Sequence, residues 1–292
     1  MRRQRVLASA IMAMIAAASM AASGIYQNAG LVQFGFTNTH PDFTKAGDYI
    51  WSNALSQNDQ LPLLADFAVK RLGRKRLAVL HLNTDWGRTS KDLLVEAAHQ
   101  MGAQIVASEA YLPDEKDFRS ALVRMREAKP DGLVLISYYA DGALIMRQVK
   151  ATGLAQPIVA VASVYSPKFL ELGGDAVNGV YTQSTFFPGD GRPEVQKFVE
   201  RYREKYKTDP DLFVAYAYDT MILAFHLIKE FGADRKAIHD GLPKIKNVPS
   251  VIFGKAQFNP QTRRVSGAKM VDLVVKDGKF IVWDGSKPAA WQ

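Results

Sequence analysis

The stretch "RLAVLHLNTDWGR", residues 76–88, decides the fold predicted for this chain. Apolar side chains fill successive positions from 77 to 80, so both faces of an extended chain would be apolar. That pattern is typical of a parallel strand covered by helices on both sides. Polar residues 83–85 then interrupt the run, and a helical pattern follows. The stretch therefore predicts a buried strand that ends in a polar loop before a helix.

The same rhythm of short apolar runs and amphipathic segments continues along the chain. Alternation of strands with helical segments of about 10–15 residues predicts βαβ units and a parallel sheet. From Arg74 to Ser184 these units make a nearly complete doubly wound domain, so the predicted fold class is α/β. The predicted strands of this pattern are 31–36, 76–82, 104–110, 132–137, 157–163 and 178–184.

The C-terminal part of the chain follows a different pattern. Residues 192–207 predict a charged amphipathic helix, and residues 212–232 predict a long, mostly apolar one. The second helix is near the length of a membrane span, but Asp219 interrupts it, so we expect a helix buried in the core. The last two apolar runs are joined by Asp277 and Gly278, which predicts a β-hairpin.

Composition limits the possible functions. The chain has 292 residues, of which 48% are hydrophobic, and this is enough for a sizeable core in about two domains. It has no cysteine, which excludes disulfides, thiolate metal sites and a cysteine nucleophile. The net charge of +8 fits solubility or a polyanionic partner. The densest basic cluster, residues 70–76, has no interleaved aromatic residues, so we predict no nucleic-acid site.

Known enzyme motifs are missing from the sequence. It has no glycine-rich dinucleotide or P-loop motif, no H-E-x-x-H zinc motif and no G-x-S-x-G nucleophile turn. The five histidines are scattered without the spacing of metal ligands. We therefore predict a protein that binds a molecule without a cofactor, a metal or catalysis.

Polar loops follow several of the predicted strands. In open parallel sheets ligands bind beyond the carboxyl ends of the strands. Residues 37–40, 83–87, 138–141 and 162–166 hold those positions and carry amide, hydroxyl and aromatic groups with few full charges. Each loop alone also fits an ordinary turn or helix cap. Their recurrence at the same end of successive strands predicts a site for a small polar solute.

Five stretches in a fixed order resemble one known family. They include "NTDWGR", "VYSPKFLELGGDAVNGVY" and "AYAYDTMILAFHLIKE", and the resemblance extends from about Ala17 to the C-terminus. The chain resembles the type I periplasmic solute-binding proteins of branched-chain amino-acid and amide ABC transporters, the Leu/Ile/Val-binding group. The resemblance implies two lobes with Rossmann-like parallel sheets that close on one solute and pass it to a membrane permease.

The resemblance also implies which residues contact the solute. The loop at Asn38 and Thr39 is expected to offer a backbone N–H and a hydroxyl to a solute carboxylate or similar oxygen. Tyr138 and Tyr139 match the loop of the second lobe that covers the solute. Trp86 and Ser163 lie on two further loops that are expected to face the solute. The predicted solute-binding residues also include Asn178 and Asp219.

The start of the chain departs from the family pattern. Basic residues precede an apolar stretch at 6–18, which has the parts of a secretory signal peptide but is too short for a membrane span. The family normally has a strand, a helix, another strand and another helix before the point where the match begins. Our hypothesis for the missing front is a gene fragment or a miscalled start, which leaves the first lobe incomplete.

The resemblance predicts how the lobes divide the sequence. We expect residues 1–16 to be signal-like or a spurious start, 17–73 and 208–262 to form the N-terminal lobe, and 74–207 and 263–292 to form the C-terminal lobe.

The second departure concerns the charge of the solute. The resemblance implies an acidic residue just before the glycine of the "GVY" strand, where it would pair with a solute ammonium. Asn178 stands there instead, and a neutral amide does not compensate a buried ammonium. Asp219 or Asp141 could substitute; otherwise the solute is an amide, a urea-like compound or a carboxylate.

Two functions follow from these expectations. The first is a periplasmic substrate-binding component of an ABC transporter for branched-chain amino acids or related amides. The alternative is a cytoplasmic amide-sensing regulator on the same fold, which would act through a protein partner. Secretion of the chain would separate the two.

Overall fold

The computed structural model describes residues 16–286, and these form two compact units. Unit 1 comprises the described residues up to Gln57 together with Thr185–Lys269. Unit 2 comprises Asn58–Ser184 and the described residues from Met270 on. The signal-like residues 1–15 lie outside the described part of the chain.

Nine α-helices lie within residues 16–286, and short 3₁₀ or π segments extend or join some of them. The α-helices are α1 (Ala16–Asn28), α2 (Gln57–Asp66), α3 (Asp85–Gln100), α4 (Arg119–Glu127), α5 (Tyr139–Val149), α6 (Pro167–Gly173), α7 (Pro193–Tyr206), α8 (Leu212–Phe231) and α9 (Arg235–Gly241). The shorter segments are a π-helical turn at Phe67–Arg71 and 3₁₀ turns at Phe43–Ala46, Lys150–Thr152, Ala162–Val164 and Gly174–Val177.

The strands of the same residues fall into three sheets. They are β1 (Gln33–Gly35), β2 (Ile50–Ser52), β3 (Arg76–Leu82), β4 (Gln104–Tyr111), β5 (Gly132–Ile136), β6 (Ile158–Ala160), β7 (Tyr181–Ser184), β8 (Val248–Ser250), β9 (Gly254–Ala256), β10 (Phe258–Asn259), β11 (Arg264–Val265), β12 (Val271–Lys276) and β13 (Lys279–Val282). The pair β8–β9 forms a small antiparallel ribbon.

The sheet of unit 2 has the strand order β13-β12-β7-β6-β5-β3-β4. The pairs β4–β3, β3–β5, β5–β6 and β6–β7 are parallel, which confirms the predicted doubly wound α/β fold. Along β3, Ala78 and Leu80 belong to one buried cluster, and Leu77 and Val79 belong to another. Helices cover both faces of the sheet, which is why the apolar run of this strand is continuous.

The predicted C-terminal hairpin closes the other edge of this sheet. Strand β12 pairs antiparallel with both β7 and β13. Asp277 has a φ of 50° and Gly278 a φ of 68°, so both turn residues are left-handed. A two-residue turn with positive φ at both positions matches the twist of a hairpin. The hairpin predicted from the Asp-Gly pair is therefore confirmed.

Unit 1 has a smaller sheet with the order β1-β2-β11-β10. Strands β1, β2 and β11 are parallel to one another, and β10 is antiparallel to β11. Three aromatic rings anchor its core: Phe34 and Trp51 pack edge-on against Phe258, with ring centroids 5.7 and 5.3 Å apart. Leu223 and Leu227 of α8 cover this cluster.

Helix α8 is long and apolar enough to cross a membrane by length and hydropathy alone, and residues 16–286 contain one such helix. Its buried positions recur every three or four residues, as in Leu212, Ala215, Leu223 and Leu227, and that stripe packs in unit 1. The opposite side exposes Phe225 among other apolar residues. The helix therefore buries one face in a core and exposes the other, so the expectation of a helix buried in the core holds for one face only.

The structure divides the chain at places other than the expected lobe boundaries. The helical residues 58–71 belong to unit 2 because Leu64 and Phe67 pack in the same cluster as Leu77 of β3. Helix α7 belongs to unit 1, where Phe198 packs against Phe186. Amphipathic helices show which of their faces is buried but not which core receives it, so the sequence placed both segments in the other lobe.

Gly87 provides a test of the packing at the end of β3. A Cβ atom at this position would lie 1.9 Å from the backbone oxygen of Leu82, so α3 or β3 must move to accept a side chain. We expect Gly87→Ala to lower the free energy of unfolding by about 2 kcal/mol or more, as overpacking does. Thermal or urea unfolding measures this change.

Gly24 is the matched control, because a Cβ atom there meets no atom within 4 Å. Gly24→Ala in helix α1 is expected to be neutral or to stabilise by about 0.5–1 kcal/mol, since alanine is the better helix former. Equal melting temperatures for the two variants would contradict the close packing at Gly87.

Candidate functional site

In unit 1 the loop after β1 is held by its own side chains. The Nδ2 of Asn38 donates to Ser19 Oγ of α1 at 2.5 Å, and its Oδ1 accepts from the backbone N–H of His40 at 3.1 Å. Asn38 is buried. The predicted amide at position 38 therefore fixes the shape of the loop and ties it to α1.

Thr39 lies at the partly exposed point of this loop. Its backbone oxygen accepts from the backbone N–H of Gln57 at 2.8 Å, so the loop is also tied to the chain that follows β2. The residue is held at the carboxyl end of a parallel strand, where a ligand is expected in such a sheet.

A second polar loop, residues 53–57, follows the neighbouring strand β2 and was not predicted from the sequence. Ser52 Oγ donates to the backbone oxygen of Gly35 and accepts from the N–H of Ala54 at 3.0 Å. Asn53 is fully buried, and its Nδ2 donates to Thr220 Oγ1 at 3.2 Å. Within residues 16–286 no partner is found for its Oδ1. The sequence signal was a strand of only three residues before the "SNALSQ" stretch, too short for an apolar period to stand out.

In unit 2 the predicted convergence of aromatic side chains occurs. Trp86 follows β3 and Tyr138 follows the neighbouring strand β5, and their rings stack with centroids 4.8 Å apart and an interplanar angle of 19°. Thr84 caps the start of α3, because its Oγ1 accepts a hydrogen bond from the backbone N–H of Gly87. This bond holds the turn in which Trp86 lies. Two residues 52 positions apart in the sequence thus form one aromatic surface because their strands are adjacent and parallel.

Ser163 and Tyr139 lie beside this aromatic pair in the sheet order. Ser163 Oγ donates to the backbone oxygen of Ser137 at 2.7 Å and so joins the loop after β6 to the end of β5. Tyr139 is the first residue of α5 and is partly buried against the core. The loops after β3, β5 and β6, which hold Trp86, Tyr138, Tyr139 and Ser163, therefore lie at one edge of the sheet.

Asn178 is not at that edge. It precedes β7, which runs parallel to β6, so it lies at the end of the sheet opposite to Ser163. Its Oδ1 accepts from the backbone N–H of Gly278 at 3.0 Å, in the turn of the C-terminal hairpin. The structure thus gives Asn178 a contact that stabilises the hairpin rather than a place among the other predicted residues.

Asp219 is buried in unit 1 with hydrogen bonds to one turn. Its carboxylate accepts from the hydroxyl of Ser250 and from the backbone N–H groups of Val251 and Ile252, at 2.9 and 3.2 Å for the two amides. Burial raises the pKa of this carboxyl to about 6, against the effect of these hydrogen bonds. The residue holds the turn after β8, and its acceptor positions are engaged there.

Asp141 is the remaining acidic candidate. It lies in the first turn of α5, three residues after Tyr138. Burial raises the pKa of this carboxyl, and the positive charge of Lys116 partly opposes that effect. Within residues 16–286, no group of three or more His, Cys, Asp or Glu side chains is placed to hold a metal ion.

Comparison with known proteins gives consistent matches along nearly the whole chain. The sequence profile of the periplasmic binding protein family matches residues 4–279. The Leu/Ile/Val-binding protein homolog 3 of Brucella melitensis is 22% identical over 229 residues, which cover 76% of this chain and 61% of that protein. The chain thus spans about three fifths of the length of this relative.

Solved structures show the same fold. The leucine-binding protein LivK of Thermotoga maritima superposes with a TM-score of 0.86 at 24% identity, covering 96% of this chain and 81% of that one. A solute-binding protein of an ABC transporter from R. palustris, in complex with benzoate, superposes with a TM-score of 0.85 at 17% identity, covering 94% and 76%. Likeness at these identities concerns the fold alone.

The raised pKa of Asp219 predicts how stability changes with pH. Because its folded-state pKa of about 6 exceeds the ordinary 3.8, the folded protein binds the proton more tightly than the unfolded chain. The contribution of Asp219 is therefore fully present below about pH 4 and is lost as the pH rises through 6, a change of about 3 kcal/mol. We expect Asp219→Asn, which does not titrate, to remove this part of the pH dependence.

Urea unfolding between pH 4 and pH 7 measures this change. The free energy of unfolding of wild type, minus that of the variant, is expected to fall by about 2.5 kcal/mol across that range. A difference that stays constant with pH would show that Asp219 does not take up a proton on folding.

Proposed function

The chain belongs to the periplasmic binding protein family, and we propose that it is the substrate-binding component of an ABC transporter for branched-chain amino acids or related amides. The observation that carries the proposal is the set of polar and aromatic loops at the carboxyl ends of parallel strands in both units. Such loops suit a small polar solute, with hydrogen-bond donors for its oxygens and aromatic rings for its apolar part.

The proposed role is binding and delivery without chemical change. The solute is passed to a membrane permease, and the protein works in the periplasm. Relatives named as Leu/Ile/Val-binding and leucine-binding proteins support this assignment. Periplasmic binding proteins change conformation by hinge or shear closure around their ligands, and we expect the same response here.

The proposed contacts divide by chemistry. The Asn38–Thr39 loop is proposed to bind a carboxylate or similar oxygen through the N–H and hydroxyl of Thr39. The Trp86–Tyr138 stack and Tyr139 are proposed to pack against the apolar part of the solute. Ser163 is proposed as a further hydrogen-bonding group. Asn178 and Asp219 were predicted as ligands too, but their contacts to Gly278 and to the turn after β8 favour structural roles.

The charge of the solute separates two ligand classes. An α-amino acid carries an ammonium, which is costly to bury without an acidic partner. Asp141 lies two residues after Tyr139, in the first turn of the helix that Tyr139 begins, and we propose it as the partner of such an ammonium. An aromatic carboxylate needs no such partner, and the relative in complex with benzoate supports this second class.

A thermal-shift screen of the full chain tests the proposal. We expect a rise in melting temperature with leucine, isoleucine or valine, with short amides, or with benzoate, because a ligand that binds only the folded state stabilises it. For the best ligand, Thr39→Ala and Tyr139→Ala are each expected to raise the Kd roughly tenfold in calorimetric titration.

Thr262→Ala and Tyr206→Ala are the matched controls, since both side chains are exposed. They are expected to leave the Kd unchanged. No binding by wild type, or equal Kd values for Thr39→Ala and Thr262→Ala, would contradict the proposed site.

Asp141→Asn decides between the two ligand classes. If the solute is an α-amino acid paired with this carboxylate, the variant is expected to raise the Kd for leucine by at least about tenfold. Binding of benzoate is expected to be unchanged or stronger, because a negative charge is removed. Asp175→Asn, an exposed position in the 3₁₀ turn Gly174–Val177 before β7, is the control for both ligands. A leucine Kd that Asp141→Asn leaves unchanged excludes Asp141 as the ammonium partner.

A further inference from the structure

The guanidinium of Arg264 joins both polar loops of unit 1. Arg264 is the first residue of β11 and is 7% exposed. Its Nη1 donates to the backbone oxygens of Asn38 at 2.9 Å and Ala54 at 3.0 Å, and its Nη2 donates to the backbone oxygen of His40 at 2.6 Å. One side chain therefore binds the loop after β1 and the loop after β2.

The position of Arg264 follows from the sheet. Strand β11 is parallel to β2, with Arg264 in register with Ser52, the last residue of β2. Its Nη1 is also 3.3 Å from Ser52 Oγ, which itself donates to the oxygen of Gly35. Buried carbonyl groups need donors, and the rigid fork of a guanidinium serves several at once in a way that a lysine does not.

The bond to Asn38 acts on the residue proposed to bind the solute. The carbonyl of Asn38 and the N–H of Thr39 belong to the same peptide unit. A charged donor on the carbonyl gives a stronger hydrogen bond than a neutral one, and it polarises the peptide unit so that its N–H becomes a better donor. The guanidinium thus places this N–H and also strengthens it toward a carboxylate.

The geometry points to Arg264 as a positioning residue for solute binding: it holds the Asn38–His40 and Ser52–Ala54 segments together and prepares the Thr39 N–H for a carboxylate. This inference rests on the proposed function for its effect on affinity. The arrangement of the two loops, however, can be measured without any solute.

The neighbouring Arg263 provides a control of the same kind. Its guanidinium also donates to a backbone oxygen of unit 1, with Nε at 3.1 Å and Nη2 at 2.5 Å from the oxygen of Thr44. Thr44 lies in the 3₁₀ turn Phe43–Ala46, outside the two loops. Substitution of Arg263 removes guanidinium hydrogen bonds to a single backbone oxygen outside the two loops and leaves the Arg264 contacts in place.

The first measurement uses amide hydrogen exchange on the full chain without solute. The reporters are the amides of His40, Ala54 and Gln57, whose hydrogen bonds close the two loops. Arg264→Met is expected to increase the exchange rate of these amides roughly tenfold, which corresponds to the stabilisation lost with one hydrogen bond. Arg263→Met is expected to leave these amides as in wild type. If Arg264→Met does not alter them, or if both variants alter them equally, the inference is overturned.

The second measurement compares charged and neutral ligands. Leucine and benzoate are the carboxylate probes, and leucinamide and benzamide are their neutral counterparts. For whichever carboxylate binds wild type, Arg264→Met is expected to raise the Kd at least tenfold, with a smaller change for the amide. Arg263→Met is expected to change the Kd of either probe less than about threefold.

If Arg264→Met does not fold, Arg264→Lys replaces it in both measurements. Lysine retains the charge but not the fork, so the loop amides are still expected to exchange faster and the carboxylate Kd to rise severalfold. Arg263→Lys is its control. Equal Kd values for Arg264→Lys and wild type would overturn the inference. Faster loop exchange in a protein that binds none of the probes would support the positioning role and would contradict the proposed function instead.

Discussion

Backbone carbonyl groups at the ends of buried parallel strands need hydrogen-bond donors, and this requirement shapes unit 1. Three backbone carbonyls in the loops after β1 and β2, those of Asn38, His40 and Ala54, accept hydrogen bonds from the guanidinium of Arg264. Asn38, Ser19 and Ser52 complete the network with neutral groups. The loop that carries Thr39 therefore has a defined shape in which its own backbone is largely satisfied.

Unit 2 meets the same requirement without a buried charge. The hydroxyl of Ser163 donates to the carbonyl of Ser137 just after β5. At the same edge of the sheet, Trp86 and Tyr138 stack at the ends of adjacent strands. The two units thus present different chemistry: donors fixed by a guanidinium in unit 1 and an aromatic surface in unit 2.

Asp219, which is buried, and Asp141, which is partly buried, differ in what they can offer a solute. The carboxylate of Asp219 accepts hydrogen bonds from the turn after β8, and burial raises its pKa. Asp141 lies in the first turn of α5, close in sequence to the aromatic surface, and its pKa is also raised by burial. An ammonium placed beside this carboxyl would oppose the effect of burial, because a nearby positive charge favours the ionised form. Of the two acidic positions named from the sequence, Asp141 is therefore the one that we propose as the partner of a solute ammonium.

Local periodicity was enough to predict the doubly wound sheet, the helix α8 and the Asp277–Gly278 hairpin, because these patterns depend on neighbouring residues. It did not show that α8 buries only one face. The convergence of Trp86 and Tyr138 was also predictable, since parallel strands carry their carboxyl ends to one edge.

The sequence did not reveal the loop after β2, the unit that receives α7, or the roles of Asn178, Asp219 and Arg264. Each of these depends on contacts between residues far apart in the chain, such as the bond from Arg264 to Asn38 across 226 positions. Only the tertiary structure decides which distant groups meet, because a single sequence records the type of each hydrogen-bonding group but not its partner.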